Sequence, residues 1–380
     1  MPLQFYPLKV SIVRYETDPA VQIGFTIPEA QKEAFKFDPG QYLTISLTIE
    51  GKQVRRAYSI CSATQDPAIS VLIKRVDGGL VSNYLNDQVK IGQTINVLPP
   101  NGHFKLEVAK SQALPQAVKH YYFFGAGSGI TPLTSMITSL LENEPLSHCH
   151  LLYGNRDQDN MIFKQKLDRL QLVYGDRFKL KYILSRPLEP KKSGLFKSTP
   201  NTNQTPWQGE IGRVDKNSIQ RFLNEVQTDK APVDGYYICG PGTMIEATYD
   251  SLLELGMDKE LIHREYFSAP ASTLSEEAII AKELPRITAA VQVTLDGNIH
   301  NLTVKDDTNV VQAMLDKNIE PPYSCLSGTC STCKAKLEKG EVHMDVSIGL
   351  EDDEKEKGYI LTCQARPLTE ELTINYDTQE

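Results

Sequence analysis

The chain has 380 residues, a net charge of −8, 40% hydrophobic and 23% charged residues, the make-up of an ordinary soluble globular protein of two or three domains at roughly 150 residues each. No apolar run approaches the ~18 residues that a membrane span needs, and the opening MPLQFYPLKVSIV has neither the basic nor the apolar region of a secretory signal. Seven cysteines in such a chain fit thiolate ligands in a reducing, cytoplasmic setting better than a disulfide framework.

The elements fall into three groups. Over 1–115, short alternating runs at 21–26, 42–49, 69–76 and 95–98 are broken by turn signals such as Asp38-Pro39-Gly40 and Pro99-Pro100-Asn101-Gly102, which predicts a small antiparallel β-barrel. Arg56-Ala57-Tyr58-Ser59 follows a predicted strand, with Arg56 and Tyr58 on one face. A redox flavin site needs a cation for its pyrophosphate, an aromatic face against the ring and a hydroxyl near the nitrogen that receives hydride, and these residues supply all three. An ordinary strand with a surface arginine has the same letters. Downstream of Lys74-Arg75, Gly79 permits a tight turn and Ser82 stands at the start of a helix, where free N–H groups and a positive dipole end suit a pyrophosphate.

Over 116–268 strands alternate with helices, which predicts a parallel sheet covered on both faces. Strands are expected at 121–124, 148–153, 178–184 and 235–239, and helices at 130–141, 160–172 and 243–255. Gly125, Gly127 and Gly129, followed by Thr131-Pro132, form a loop between a strand and a helix, where glycine backbone can approach a pyrophosphate closely. Cys239-Gly240-Pro241 stands in the same position after another strand, and a small buried hydrophobe is the plain alternative for Cys239. His148 and His150 share one strand face while Cys149 points away, with no fourth ligand nearby, so a metal site is not expected there. Cys61 is read as packing. A polar stretch at 187–208 is expected to be a surface loop, and 269–287 a linker.

Over 288–380 the charge concentrates: 17 acidic against 8 basic residues give −9, leaving the rest of the chain at +1. This argues against nucleic-acid binding. It offers either a solvated surface or a face that steers a basic redox partner. Strands at 291–295 and 300–304 form a hairpin about Asp296-Gly297-Asn298, and a short helix at 310–316 leads into PYSCLSGTCSTC. Cys325, Cys330 and Cys333, with Cys363 following after 29 residues, match the C-x4-C-x2-C…C spacing of plant-type [2Fe–2S] ferredoxins. Two irons need four thiolates. Three come from one loop of small residues whose N–H groups can reach the sulfurs, and Gly328 can take a positive φ. Zinc favours paired C-x2-C knuckles, and only Cys330 and Cys333 form one.

RAYSICS, KRVDGGLVSNYL and PPNGHF, in that order, resemble the FAD-binding barrel of the ferredoxin–NADP reductase family, and the likeness continues through the glycine loop and the C-G-P motif. The resemblance implies that Arg56, Tyr58, Ser59, Lys74, Gly79, Val81 and Ser82 hold FAD. Gly125, Gly127, Gly129, Thr131, Gly240 and Pro241 would hold the pyridine nucleotide, with Cys239 beside the nicotinamide. Glu265-Tyr266-Phe267 resembles the E-x-F ending whose aromatic covers the flavin, with Phe267 or Tyr266 in that part. Arg156, Ser185, Arg186 and Arg213 match positions where bacterial members bind the 2′-phosphate, so NADPH is expected over NADH. Ser59, Cys239 and Glu265 are the candidate catalytic residues, and Cys325, Cys330, Cys333 and Cys363 the cluster ligands.

The implied architecture is a FAD barrel (1–115), an NADPH-binding α/β domain (116–268), a linker (269–287) and a β-grasp ferredoxin domain (288–380). The implied activity is electron transfer from NADPH through FAD and [2Fe–2S] to a separate acceptor protein. Domain order and the run GEVHMDVSIGLEDDEKEKGYILTCQARP resemble the reductase subunits of multicomponent oxygenases, the phenylacetyl-CoA oxygenase group among them. Reductases for other oxygenases and for hybrid-cluster protein share the layout. A redox-sensing protein would need an output domain, and none is visible. A stand-alone quinone or flavin reductase would keep its activity without the cluster.

Overall fold

The structure, a computed structural model, describes residues 4–108, 118–188, 206–226, 232–270, 273–275 and 283–378. Most of the 187–208 stretch and part of the 269–287 linker lie outside the described residues. Among the described residues no helix is long and apolar enough to cross a membrane.

The first sheet is antiparallel, in the spatial order Lys52–Ser59, Tyr42–Ile49, Thr94–Val97, Tyr6–Thr17, Ala20–Thr26, Ile69–Lys74. Its edges meet at one corner, where Ile60 bridges Val71 and the Cys61 N–H donates to the Ser70 carbonyl at 2.8 Å, so the sheet curls into a barrel closed at that corner. Leu8, Ile23, Phe25, Leu43, Ile45, Val71 and Ile73 fill it. The four strands expected here lie within two residues of their observed positions. Tyr6–Thr17, partly exposed along most of its length, is a fifth that alternation did not reveal. Arg56–Ser59 proves to be the end of the strand Lys52–Ser59 rather than a segment after one.

The second sheet is wholly parallel, in the order Glu210–Ile211, Phe178–Leu184, Ser147–Asn155, Lys119–Ala126, Val233–Gly240, Ile262–Tyr266. Alternate residues of each strand serve opposite faces. Tyr121, Phe123, Leu151 and Tyr153 pack with Ile130, Leu133 and Ile137 of the helix Ile130–Asn143. Tyr122, Phe124 and Ile238 pack with Phe222 and Ile245 of the helices Lys216–Val226 and Gly242–Glu254. Strand order reverses between Lys119–Ala126 and Val233–Gly240, and ligands of such sheets bind beyond the strand ends at that point. The helix expected at 160–172 runs Lys164–Tyr174. It starts late because the Asp157 carboxylate accepts the Asn160 N–H and caps a separate 3₁₀ turn, Gln158–Asn160.

The third sheet is mixed, in the order Asn298–Val304, Ala289–Leu295, Glu371–Asn375, Lys334–Lys339, Tyr359–Leu361. Ala289–Leu295 runs parallel to Glu371–Asn375 and antiparallel to Asn298–Val304, and the helix Val310–Leu315 packs Val310, Ala313 and Met314 onto Val291, Val293 and Ile374. This is a β-grasp. The hairpin turn is the pair Asp296-Gly297, both at positive φ, as two-residue hairpin turns require. Asn298 already pairs with Leu295 as the first residue of the next strand.

The strand Tyr42–Ile49 joins the third unit to the barrel. Its Tyr42 hydroxyl lies 2.8 Å from Thr332 Oγ1, and Thr44 Oγ1 donates to Ser324 Oγ at 2.8 Å. Both partners flank cysteines of the C-terminal loop.

Candidate functional site

Where the three units meet lies a cavity of about 760 Å³. From the barrel it is lined by Tyr42, Arg56, Tyr58, Ser59 and Lys74, from the turn and helix start by Gly79, Val81 and Ser82, and from the parallel sheet by Thr131, Glu265 and Phe267. Cys325, Thr329 and Cys330 close the fourth side. Every residue expected to hold FAD therefore lines one space. Tyr42 and Thr329 are additions that the sequence did not single out.

Local rules explain the placement. Period-2 alternation sends adjacent arginines to opposite faces: Arg56 to the cavity, Arg55 into the interface with the third unit. Gly79 precedes the helix Leu80–Asp87, whose first turn faces the cavity. A Cβ on Gly79 would lie 2.6 Å from Ser82 Oγ and 3.0 Å from Val76 Cβ, so a side chain there would displace the Ser82 hydroxyl. The Val76 N–H donates to Ser82 Oγ at 3.1 Å and fixes that turn. A cation, an aromatic ring and a helix start around one space of this volume fit a flavin dinucleotide.

At the inner end Glu265 accepts hydrogen bonds from Ser59 Oγ at 3.2 Å and from the Cys239 thiol at 3.8 Å. Cys239 and Glu265 are register partners on adjacent parallel strands. Burial pushes the Glu265 carboxyl up to about 8, against the pull of its two donors, and burial followed by the Glu265 charge pushes the Cys239 thiol up. The three expected catalytic residues thus form one hydrogen-bonded group. The glycine loop lies beside it: a Cβ on Gly129 would be 2.1 Å from the Cys239 carbonyl oxygen. Gly127 has φ +55, and Thr131 Oγ1 donates to the Ser128 carbonyl at 2.7 Å. Gly240 and Pro241 continue to the helix Gly242–Glu254, which Pro241 precedes.

The arginines of the parallel sheet lie apart from the cavity. Arg156, Arg186 and Arg213 are exposed and follow the C-terminal ends of three neighbouring strands. The Ser185 N–H donates to the Asn155 carbonyl at 3.0 Å and the Arg186 N–H to the Arg156 carbonyl at 2.7 Å. Arg156 is paired with Asp157 at 2.9 Å. Lys74, which lines the cavity, has its Nζ 3.7 Å from where a Cβ on Gly127 would lie. Burial, then the Arg156 charge, draws its ammonium down.

The four C-terminal cysteines stand two and two. Cys325 is hydrogen-bonded to Cys330, and Cys333 to Cys363. The Ser327 N–H donates to Cys325 Sγ at 3.4 Å and Gly328 has φ +69, both as the loop chemistry anticipates. Among the described residues no three His, Cys, Asp or Glu converge as a single-ion site. Thiols that stand in two adjacent pairs, with a backbone donor at one sulfur, fit two irons with two ligands each. Cys325 and Cys330 border the flavin cavity, while Cys333 and Cys363 are buried behind them.

Two charged features differ from plain surface. Glu354 of the acidic run is largely buried, 2.5 Å from Lys334 Nζ, and its carboxylate accepts the Glu351 N–H at 3.0 Å in a capping box for the helix Asp352–Glu356. Asp352 and Asp353 pair with Lys355 and Lys357. His148 and His150 share a face with His120, which stacks on both, and His120 Nδ1 lies 3.0 Å from His150 Nε2. Cys149 is buried in the core on the opposite face.

Residues 19–106 match the oxidoreductase FAD-binding domain family, residues 123–250 the oxidoreductase NAD-binding domain family and residues 293–368 the 2Fe-2S iron-sulfur cluster binding domain family. The chain is 34% identical over 378 residues to a subunit of the 1,2-phenylacetyl-CoA epoxidase of Escherichia coli (strain K12), covering 99% of this chain and 98% of that one. It is 32% identical over 384 residues to the 3-ketosteroid-9-alpha-monooxygenase ferredoxin reductase component of Rhodococcus rhodochrous, covering 97% and 96%. Phthalate dioxygenase reductase has the same fold, at a TM-score of 0.58 and 22% identity over 98% of both chains. The chain belongs to the ferredoxin–NADP reductase family, in the form that carries a C-terminal plant-type [2Fe–2S] domain. It is an oxidoreductase that carries electrons from a nicotinamide nucleotide through a flavin and an iron–sulfur centre.

Proposed function

We propose that the chain is the NADPH-using reductase component of a multicomponent oxygenase, with a phenylacetyl-CoA epoxidase as the first acceptor to test. Residues 1–115 are assigned to FAD, 116–268 to NADPH and 288–380 to the cluster, with 269–287 as linker. The observation that carries this reading is the single cavity bordered both by Arg56, Tyr58 and Ser59 and by Cys325 and Cys330. A donor and an acceptor bordering one cavity need no large motion between them.

The chemistry that bound flavin and cluster supply is conversion of a hydride's electron pair into single electrons. The chain's own residues do the positioning. Arg56, Lys74, Gly79, Val81 and Ser82 are assigned to the FAD pyrophosphate, and Tyr58 and Phe267 to the ring faces. The glycine loop at 125–129, Thr131, Gly240 and Pro241 are assigned to the nicotinamide nucleotide. Cys239 and Glu265 hold the reacting end, with Ser59 donating to the Glu265 carboxylate. Arg156, Ser185, Arg186 and Arg213 form the 2′-phosphate edge. Cys325, Cys330, Cys333 and Cys363 hold the cluster.

The 3-ketosteroid-9-alpha-monooxygenase relative and the glycine betaine monooxygenase reductase subunit of Pseudomonas aeruginosa, at 29% identity, are reductase components by name, and the 34% relative is an epoxidase subunit, which supports an oxygenase acceptor. The test is reconstitution with purified phenylacetyl-CoA epoxidase components. Turnover supported by NADPH and abolished in Cys330→Ser supports the reading. Full cytochrome c reduction without epoxidase turnover removes the epoxidase and leaves the electron route standing.

A further inference from the structure

Tyr42 is the least expected resident of the cavity. Its ring opens the strand Tyr42–Ile49, is 6% exposed, and borders the cavity alongside Ser59 and Cys330. One edge of the ring is fixed by backbone: a Cβ on Gly102 would lie 3.0 Å from Tyr42 Cδ1 and 3.1 Å from Cε1, and Gly102 has φ +123. This accounts for the glycine of the PPNGHF run. At the far end the Tyr42 hydroxyl lies 2.8 Å from Thr332 Oγ1, and Thr332 Oγ1 lies 3.6 Å from Cys330 Sγ. Tyr42, Thr332 and Cys330 are all under 10% exposed.

A thiolate that ligates iron is only an acceptor, and this fixes the direction of the chain. Thr332 O–H must donate to Cys330 Sγ, which leaves its oxygen lone pairs to accept the Tyr42 O–H. A hydroxyl that accepts one hydrogen bond donates more strongly, and burial strengthens both. Donation to a cluster sulfur stabilises the extra electron and raises the potential. Because Cys325 and Cys330 already border the cavity, Tyr42 is not needed as a bridge for the electron. We propose that Tyr42 is a positioning residue that sets the potential of the iron–sulfur centre through Thr332 and the Cys330 sulfur, and so the division of electrons between flavin and cluster. One electron crosses per event, no bond in the protein forms or breaks, and both hydroxyl protons stay on their own oxygens.

The inference rests on the flavin and cluster assignments above. The test is an anaerobic redox titration of the holoenzyme, with the cluster followed by EPR and the flavin by absorbance. Tyr42→Phe keeps the ring and should move the electron distribution about 3-fold toward the flavin. Thr332→Val should move it about 10-fold, a cluster potential about 59 mV more negative for one electron. Thr332→Ser should restore the wild-type value, and the double variant should match Thr332→Val alone. An unchanged potential in fully loaded Tyr42→Phe and Thr332→Val overturns the proposal and leaves the electron route intact. If Tyr42→Phe loads poorly, Thr332→Val against Thr332→Ser decides. A wild-type protein that loads neither centre overturns both.

Discussion

The guanidinium of Arg55 lies 4.8 Å from the centre of the Phe5 ring and 4.3 Å from that of Tyr323, and its Nη2 meets Glu320 at 2.8 Å. Arg55 is 2% exposed while Glu320 is 64% exposed. The carboxylate therefore contributes only about 0.5–1 kcal/mol, and the two desolvated ring contacts contribute more, up to about 2 kcal/mol each. Glu320→Gln should leave flavin-to-cluster transfer near wild type. Arg55→Ala should slow it about 10-fold while NADPH-driven ferricyanide reduction stays unchanged, and Arg55→Lys should not rescue it, because an ammonium cannot stack between rings as a planar guanidinium does. Stopped-flow absorbance of the two centres measures this. Equal loss in Glu320→Gln and Arg55→Ala would place the hold in the ion pair instead.

Glu265 gives a pH signature. Its carboxyl ionises near 4.5 when exposed and at about 8 when folded. Between these values the unfolded chain has lost a proton that the native state keeps, so this group's contribution to stability falls as pH rises from 4.5 to 8 and is level above. Hydride transfer should carry the same titration: the rate of flavin reduction by NADPH should change with an apparent pKa near 8. Glu265→Gln should flatten that profile and gain stability relative to wild type at pH 8. A profile unaltered by the substitution would assign the titration elsewhere.

The arginine edge predicts the nucleotide. A hydrogen bond to a charged group contributes about 1.5–3 kcal/mol, so Arg186→Ala and Arg213→Ala should each raise the KM for NADPH about 10-fold or more, with NADH kinetics unaffected. Arg156, engaged by Asp157, should give the smaller effect. Equal kcat/KM for the two nucleotides in the wild type would remove the assignment.

His150 makes the nucleotide-binding sheet acid-sensitive. Burial, then the charges of His120, His148 and Lys179, holds its imidazole down at about 3 from the ordinary 6.5. The unfolded chain takes up a proton below 6.5 that the native state refuses until about 3, so stability falls as pH falls through that window. At 1.36 kcal/mol per unit, about 2 kcal/mol is lost between pH 6.5 and pH 5. His150→Phe, able to stack on Tyr122 as the imidazole does, should reduce that loss in urea denaturation at the two pH values. An unchanged pH slope would contradict it.

Much of this arrangement was legible in the sequence, for physical reasons. Arg56, Tyr58, Ser59, Gly79 and Ser82 are read from alternation and turn chemistry, and the cavity contains all five. The cysteine spacing carried the four cluster ligands, though not their pairing, because ligand count is a chemical constraint independent of fold. What escaped depends on contacts distant in sequence. Tyr42 meets Thr332 across 290 positions and Arg55 meets Glu320 across 265, and each alone is an unremarked strand residue. The helix Lys216–Val226 buries Ser218, Ile219, Phe222 and Leu223, a regular i, i+1, i+4, i+5 stripe that is open to a sequence reading yet absent from the elements expected above. The acidic residues 351–354 read as solvated surface or as a steering face, because capping and the Lys334 pair are visible only once Glu354 is folded inward.

The most direct measurement is an anaerobic titration of the purified protein with NADPH, following flavin absorbance and EPR together. The account predicts iron and FAD bound in the same molecule, flavin bleaching, and a rhombic [2Fe–2S] signal that grows with it and is absent from Cys330→Ser. Flavin that bleaches fully while no iron–sulfur signal develops would contradict it.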